Sequence, residues 1–525
     1  MSDFEEEVVS IAHAESARQQ GLRFSSVRSI ALVFSYIVSI PVGIFKANAL
    51  GPALLGTLQV YTLLEMYLSY TSLGLLKGFI RQVPIAWAEG KRGECITIAR
   101  ISFSWNLITG LFSVLVLWLL YLSHGIGELT FSVTVLLSLI VFLNRLETYL
   151  HSWAQAFGEF KALGRFFILT QCSTPFLILC GVLWLQVKGV LLAQCCVSAI
   201  GIIYYLVALQ DGLRFGLLIR VRKMMELMKI GFMVFINDLI DSLLDKRDLQ
   251  VLALVLTTKE LGLYSFAYSS FTLAVALPGT IDVFLYRHML VNRGKHGLSN
   301  LSSSFMKYFE SPLMTYLLLS YTLIGLSYLA FAVIVRLFLS DYMVSLLIMK
   351  ILILGQMVNS TRTFTKQYFN VSDQLGRRLF MSLSMFIMSF LAMWGVLRLS
   401  NWGLFGVAWI STITTSVFAI ALLYISISQI YNRSNIPSSF LLRFLAVSIL
   451  LWATIEVLDS ANIISYQTRV KSMTNIISAT ADLSLKAVVY TIVCFFSYTL
   501  IFYEYKLFQE IKRIFVFLRT DLFNL

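Results

Sequence analysis

The feature that most constrains this chain is its succession of long apolar runs. Residues 101–122, 166–187 and 403–426 each lack any charged side chain. A transmembrane helix needs about 20 such residues. A membrane β-barrel would instead show ten-residue segments of alternating polarity, and these runs are continuous. Composition agrees: 58% of residues are hydrophobic and 13% charged, with a mean hydropathy of +0.79. Soluble domains hold about 45–50% apolar and about 25% charged residues, so a water-soluble enzyme is excluded. With about 60% of the chain in the bilayer there is room for roughly 14 to 16 helices. The expected fold class is an all-α polytopic membrane protein.

Fourteen spans are expected: 29–47, 54–78, 101–122, 129–150, 166–187, 189–209, 230–256, 262–285, 313–335, 343–368, 379–397, 403–426, 440–458 and 485–505. An even number puts both termini on one side. One set of loops and tails then carries 25 Lys and Arg, and the other set, which includes Lys188, Arg336 and Lys486, carries 7. That asymmetry assigns the first set, with both termini, to the cytoplasm of an inner or plasma membrane. The formal charge of +13 is thereby explained by the anionic lipid surface rather than by nucleic acid. Residues 1–28 begin acidic and end basic, so the first span is expected to be an uncleaved anchor. The tail 506–525 reads as an amphipathic helix on the inner leaflet.

An internal repeat organises the spans. An offset of 206 aligns Leu50, Leu55, Gly56 and Arg81 with Leu256, Leu261, Gly262 and Arg287. An offset of 212 aligns Gln155, Phe157, Leu163, Gly164 and Arg165 with Gln367, Phe369, Leu375, Gly376 and Arg377. Two parallel six-helix halves account for both. The expected organisation is a cytoplasmic N-tail (1–28), an N-terminal lobe (29–209), a basic linker (210–229), a C-terminal lobe (230–426), two additional helices (440–505) and a basic C-tail (506–525).

The stretches 47–82 and 243–289, with the loops AFGEFKALGRF (156–166) and VSDQLGRRLF (371–380), resemble polysaccharide flippases of the multidrug/oligosaccharidyl-lipid/polysaccharide exporter superfamily. The resemblance covers about residues 25–430. It implies two lobes in a V shape that move a lipid-linked, polyprenyl-pyrophosphate oligosaccharide outward by alternating access in polysaccharide biosynthesis. Two extra C-terminal helices fit the fourteen-helix layout of lipid II flippases, whereas many O-antigen flippases have twelve. A polysaccharide polymerase or glycosyltransferases are the implied partners.

Charges within spans point the same way, because intramembrane ionisable groups usually face a cavity. Span 7 carries Asp238, Asp241, Asp245 and Asp248 within about 80° of one another on a continuous helix. Lys246 and Arg247 point away from that stripe unless the helix breaks there. The expected substrate-binding cations are Lys46, Arg145, Arg247, Lys350, Arg362 and Lys366. The expected cavity or coupling carboxylates are Glu65, Asp238, Asp241, Asp245 and Asp248. Arg suits bidentate phosphate contacts. Ion pairs that merely hold helices together are the plainer alternative for each.

Other chemistries find no support. There is no G-x-x-x-x-G-K-[ST] run for ATP. The six cysteines have no metal-ligand spacing, and the five histidines, mostly in loops and without a helical H-x-x-x-H pair, read as surface residues rather than ligands. No metal or cofactor is expected; transport would draw on an ion gradient, with H+ or Na+ as the candidate coupling ion, on the membrane potential or on the substrate's own gradient. The protein is read as a transporter, not an enzyme. The alternatives are a cation-coupled multidrug exporter of the same superfamily and a membrane-bound acyl- or glycosyl-transferase.

Overall fold

A computed structural model describes residue 35 and residues 38–124, 129–210, 215–279, 301–372, 374–400, 402–430, 438–461 and 473–501. Both expected tails and most of the 286–308 loop lie outside these. The described residues are helical, without strands, and include nine helices long and apolar enough to cross a membrane. The protein is a multi-pass helical membrane protein.

The chain divides into two compact units, one of residues 1–50 and 57–239, the other of residues 51–56 and 240–525. The first contains most of α1 (Val38–Ser72), then α2 (Leu75–Ala88), α3 (Arg92–Leu122), α4 (Phe131–Ala156), α5 (Phe160–Ala208) and the start of α6 (Val221–Asp245). Its helices invert the soluble pattern. On α3, Leu111, Leu115, Leu119 and Leu122 are exposed, while Asn106, Thr109, Gly110 and Ser113 are buried. Lipid is as apolar as leucine, so small and hydrogen-bonding side chains go to the helix–helix contacts. One core, built from Leu75, Phe79, Ile98, Tyr149, Trp153, Phe166, Tyr205 and Leu227, joins α2 to α6.

Breaks in the helices fall at residues with unusual backbones. Gly51 (φ 68) kinks α1, so spans 1 and 2 form one interrupted helix. Leu73 (φ 50) and Gly74 (φ 80) separate α1 from α2. A Cβ on Gly74 would lie 2.6 Å from that of Phe235, so glycine serves both the turn and the close approach. Gln186 (φ 49) divides α5 where spans 5 and 6 were expected to part, and the backbones of Gly181 and Gly189 touch across that turn.

The second unit comprises the end of α6, then α7 (Arg247–Val255), α8 (Thr258–Gly279), α9 (Leu301–Phe338), α10 (Met343–Asn359), α11 (Arg362–Val371), α12 (Leu375–Leu399), α13 (Gly403–Ile430), α14 (Ser438–Ser460) and α15 (Met473–Ile501). Its α9 acts as a spine for the two additional helices. Tyr321 Oη and Ser448 Oγ are 2.8 Å apart, and Tyr490 donates to the Tyr321 carbonyl at 3.0 Å. Gly325 lies flat against the Tyr490 ring, leaving no room for a side chain.

Several sequence expectations need correction. The loop 81–100 is largely helix, because α2 runs to Ala88 and α3 starts at Arg92. Span 7 is not continuous: the chain breaks at Lys246, between α6 and α7. Span 10 breaks at Ser360 and Thr361. Helix α9 begins at Leu301, inside an expected loop, and α15 begins at Met473, inside the expected segment before span 14. His151 lies on α4, not in a loop.

Candidate functional site

In the second unit, Asp241 near the end of α6 gathers three cations. Arg362, the first residue of α11, reaches Asp241 at 3.2 Å and Asp245 at 2.5 Å. Lys366, one turn further along α11, reaches Asp241 at 3.1 Å. Arg378 of α12 pairs with the same carboxylate. Arg362 also lies over the Phe418 ring, 5.4 Å from its centroid, a favourable place for a guanidinium. Among the described residues, three cations thus meet two carboxylates. The cluster grades in accessibility: the side chains of Arg378 and Asp241 are 5% and 8% exposed, Lys366 35% and Asp245 52%.

The break at Lys246 sends Arg247 and Asp248 into the helix packing instead. Asp248 accepts from Tyr264 at 2.7 Å and Ser411 at 2.5 Å. Arg247 donates to the Ser411 carbonyl and to Thr414 and Thr415, at 3.2, 3.1 and 2.6 Å, and lies 3.4 Å from Asp248. Both are buried. The pair pins α7 to α8 and α13.

Lys350 stands in a separate group. It meets Glu456 at 2.9 Å and Asp459 at 3.1 Å on α14. Asp459 also takes Arg336 of α9 at 2.6 Å and the Tyr328 hydroxyl at 2.8 Å. These contacts tie α9, α10 and α14 together. A further pair that the sequence reading missed, Asp482 and Lys486 on α15, is closed at 2.8 Å with both side chains buried.

The first unit holds the remaining candidates apart. Asp238 pairs with Lys77 at 2.8 Å, both half-exposed. The four span 7 aspartates therefore do not act as one stripe. Arg145 is buried and donates to the Leu68 carbonyl and to Thr71, both at 2.5 Å, where it caps the end of α1. Lys46, on α1, is partly buried, with no ion pair among the described residues. Glu65 accepts from Asn144 Nδ2 at 2.5 Å, and Ser198 donates to Asn144 Oδ1 at 2.6 Å. Together with Thr174, Ile178, Gln194 and Val197 they line a cavity of about 130 Å³. Asn144, Gln194 and Ser198 carry no charge, so a search for intramembrane charges passes over them.

Lys223, in the expected basic linker, meets Glu94 at 2.9 Å. That hydrogen bond raises its ammonium above the ordinary lysine range.

No protein-family model matches the sequence, and no curated protein matches it. Solved structures do match. An inward-facing multidrug resistance transporter of the MATE family, MOP superfamily, is 12% identical; the match covers 78% of this chain and all of that one, with a TM-score of 0.62. A Vibrio cholerae MATE transporter is 13% identical over 80% of this chain and 98% of its own, at 0.55. A MOP superfamily transporter from Pyrococcus furiosus is 14% identical over 79% and 96%, at 0.54. The fold is that of the MATE transporters of the MOP superfamily. At these identities the likeness concerns architecture alone.

Proposed function

We propose that the protein is a secondary transporter that flips a lipid-linked, polyprenyl-pyrophosphate oligosaccharide from the inner to the outer leaflet by alternating access, for polysaccharide biosynthesis. The observation that carries this reading is the convergence of Arg362, Lys366 and Arg378 on Asp241. A pyrophosphate linkage needs charged donors to leave water, and guanidinium groups bind it bidentately. Lys366 is the member of the cluster that an anion can recruit at least cost. It is the most exposed of the three cations, and its withdrawal leaves Asp241 with Arg362 and Arg378. Both termini are read as cytoplasmic, and polymerase or glycosyltransferases as the partners that handle the glycan.

One observation favours a second reading, cation export: the half-buried Glu65 opens into a polar cavity. The Pyrococcus furiosus structure bears on the choice, since reversed polarity of its binding pocket is reported to suggest a different function. Pocket polarity is the property to test. Arg362 is a poor probe, because it is locked between two carboxylates. Lys366→Gln removes one attraction, whereas Lys366→Glu adds a repulsion. A like charge about 4 Å away costs on the order of 4 kcal/mol at an effective dielectric of about 20. A quarter of that weakens binding roughly five-fold. Glycan export, corrected for protein in the membrane, should therefore fall about five-fold further with Glu than with Gln. Equal activity of the two, or better activity with Glu, rejects the reading and favours the cation exporter.

A further inference from the structure

Residues 215–220, just before α6, form an extended strap that lies along α3 within the first unit. The Leu218 amide donates to Ser104 Oγ at 2.7 Å, and the Phe215 ring packs on Phe103, with 5.2 Å between centroids. Gly216 passes over Arg100: a Cβ there would lie 3.0 Å from Arg100 Nε. Leu218 packs against the core of the unit, which Met224 and Leu227 of α6 enter. The strap alternates. Gly216 and Leu218 are half-buried, whereas Leu217, Ile219 and Val221 are 75%, 63% and 68% exposed. That is the period of an extended chain with one face turned outward. Beside these three aliphatics stand Arg220 and Arg222, both exposed.

The depth of the strap follows from α3. Arg100 is the last charged residue of that helix, and residues 101–122 have none. The strap therefore crosses α3 where the helix passes from water into hydrocarbon. An extended backbone cannot sit deeper against lipid, because its peptide groups need partners that hydrocarbon does not offer. Headgroups and water at the boundary supply them. Basic residues at one end of a span satisfy the positive-inside rule without forming a site, but here an ordered segment presents alternate aliphatics beside its arginines. Among the described residues neither Arg100 nor Arg220 pairs with a carboxylate, since the acids nearby, Glu94 and Glu226, go to Lys223 and Arg222. The Arg222 contact is loose, at 3.7 Å with the side chain 97% exposed.

We propose that this strap is a binding site for an anionic diacyl phospholipid of the leaflet at that end of α3. Leu217, Ile219 and Val221 lie among its acyl chains, and Arg100, Arg220 and Arg222 hold its phosphate. Guanidinium groups bind phosphate oxygens bidentately. In a zwitterionic headgroup the phosphate already has its own cation, so charge selects the anionic lipid. The bound lipid presses the strap onto α3 and thereby braces the start of α6, which follows directly. The site requires only that the chain spans a membrane and is independent of what it transports.

Native mass spectrometry of the full chain tests the site, by titrating phosphatidylglycerol or phosphatidylcholine of the same acyl chains and reading the affinity of the first lipid bound. Phosphatidylglycerol should bind the unaltered chain more tightly. Arg220→Gln and Arg222→Gln should each weaken it about five-fold, the worth of one cation beside an anionic surface, and leave phosphatidylcholine unchanged. Leu217→Ser combined with Ile219→Ser should weaken both lipids about ten-fold or more. Lys161→Gln removes an exposed cation at the start of α5 and, as the control, should change neither. Equal affinity for the two lipids overturns the site, as do arginine losses no larger than that of Lys161→Gln. Undiminished binding in the Leu217/Ile219 double variant also overturns it, since a site for soluble anions would behave that way. The substituted side chains are all exposed, and circular dichroism of the same samples verifies that the variants are folded.

Discussion

Neutralising Asp241 separates the structural part of the cation cluster from its exposed arm. Asp241 is 8% exposed and receives Arg362 at 3.2 Å, Lys366 at 3.1 Å and the Arg378 guanidinium. In Asp241→Asn, Arg362 keeps Asp245, but the carboxylate on which all three cations converge is gone. Removing one partner from a buried ion pair costs about 3–5 kcal/mol, because the remaining charge stays desolvated. Lys366→Gln leaves Asp241 between two guanidinium groups and removes a partly exposed ammonium, so it should cost no more than about 1 kcal/mol. The difference of at least about 2 kcal/mol corresponds to roughly a thirty-fold change in the folding equilibrium. Unfolding of the purified chain in mixed micelles with rising dodecyl sulfate, followed by circular dichroism, measures both variants. Adding Arg378→Gln to Asp241→Asn should recover part of the loss, since a cation then leaves with its anion. If Asp241→Asn costs less than about 1 kcal/mol, or matches Lys366→Gln, the cluster is not a buried hub and the reasoning fails.

Two further perturbations follow from the same geometry. Gly262→Val drives a side chain into the Pro52 carbonyl and the Gly56 amide; backbone must move, at a cost of about 1–3 kcal/mol or more. Gly395→Val, with open space around it, is the control, and size-exclusion profiles of the two should differ sharply. Lys350→Glu should destabilise the chain, and adding Glu456→Lys should restore a coupling of about 0.5–3 kcal/mol. Lys350→Gln should leave transport per molecule unchanged, as befits a brace between α10 and α14.

The sequence carries the helical class and most of the spans because lipid imposes them residue by residue: length and apolarity are local properties. It also carries the repeat. Gly56 and Gly262, aligned by the 206 offset, meet in the second unit, each leaving room for the other's backbone. The turn at Gln186 is legible as the gap between two adjoining apolar runs. The helical character of 81–100 is not, since its charges signal water and say nothing against a helix. Nor is the cavity around Glu65, because Asn144 and Ser198 become informative only when α4 and α5 bring them together.

Partner choice among the charges is the part that sequence distance hides. Lys350 looks like Arg362 in the chain, since both are cations in one apolar run. Yet Lys350 finds Glu456 and Asp459 on α14, about a hundred residues on. Arg362 finds Asp241 and Asp245 instead, in company with two further cations. The break at Lys246 decides the rest. On one unbroken helix Asp248 would have shared a face with Asp241 and Asp245. The break turns Asp248 to Tyr264 and Ser411 and lets Arg247 reach α13. Among the described residues the cluster keeps two carboxylates, Asp241 and Asp245. A variant that heals the break, Lys246→Ala in an otherwise helical context, tests whether that partition depends on the turn: if Asp248 stays with Tyr264 and Ser411 in its structure, packing rather than the break itself decides which carboxylates the cluster holds.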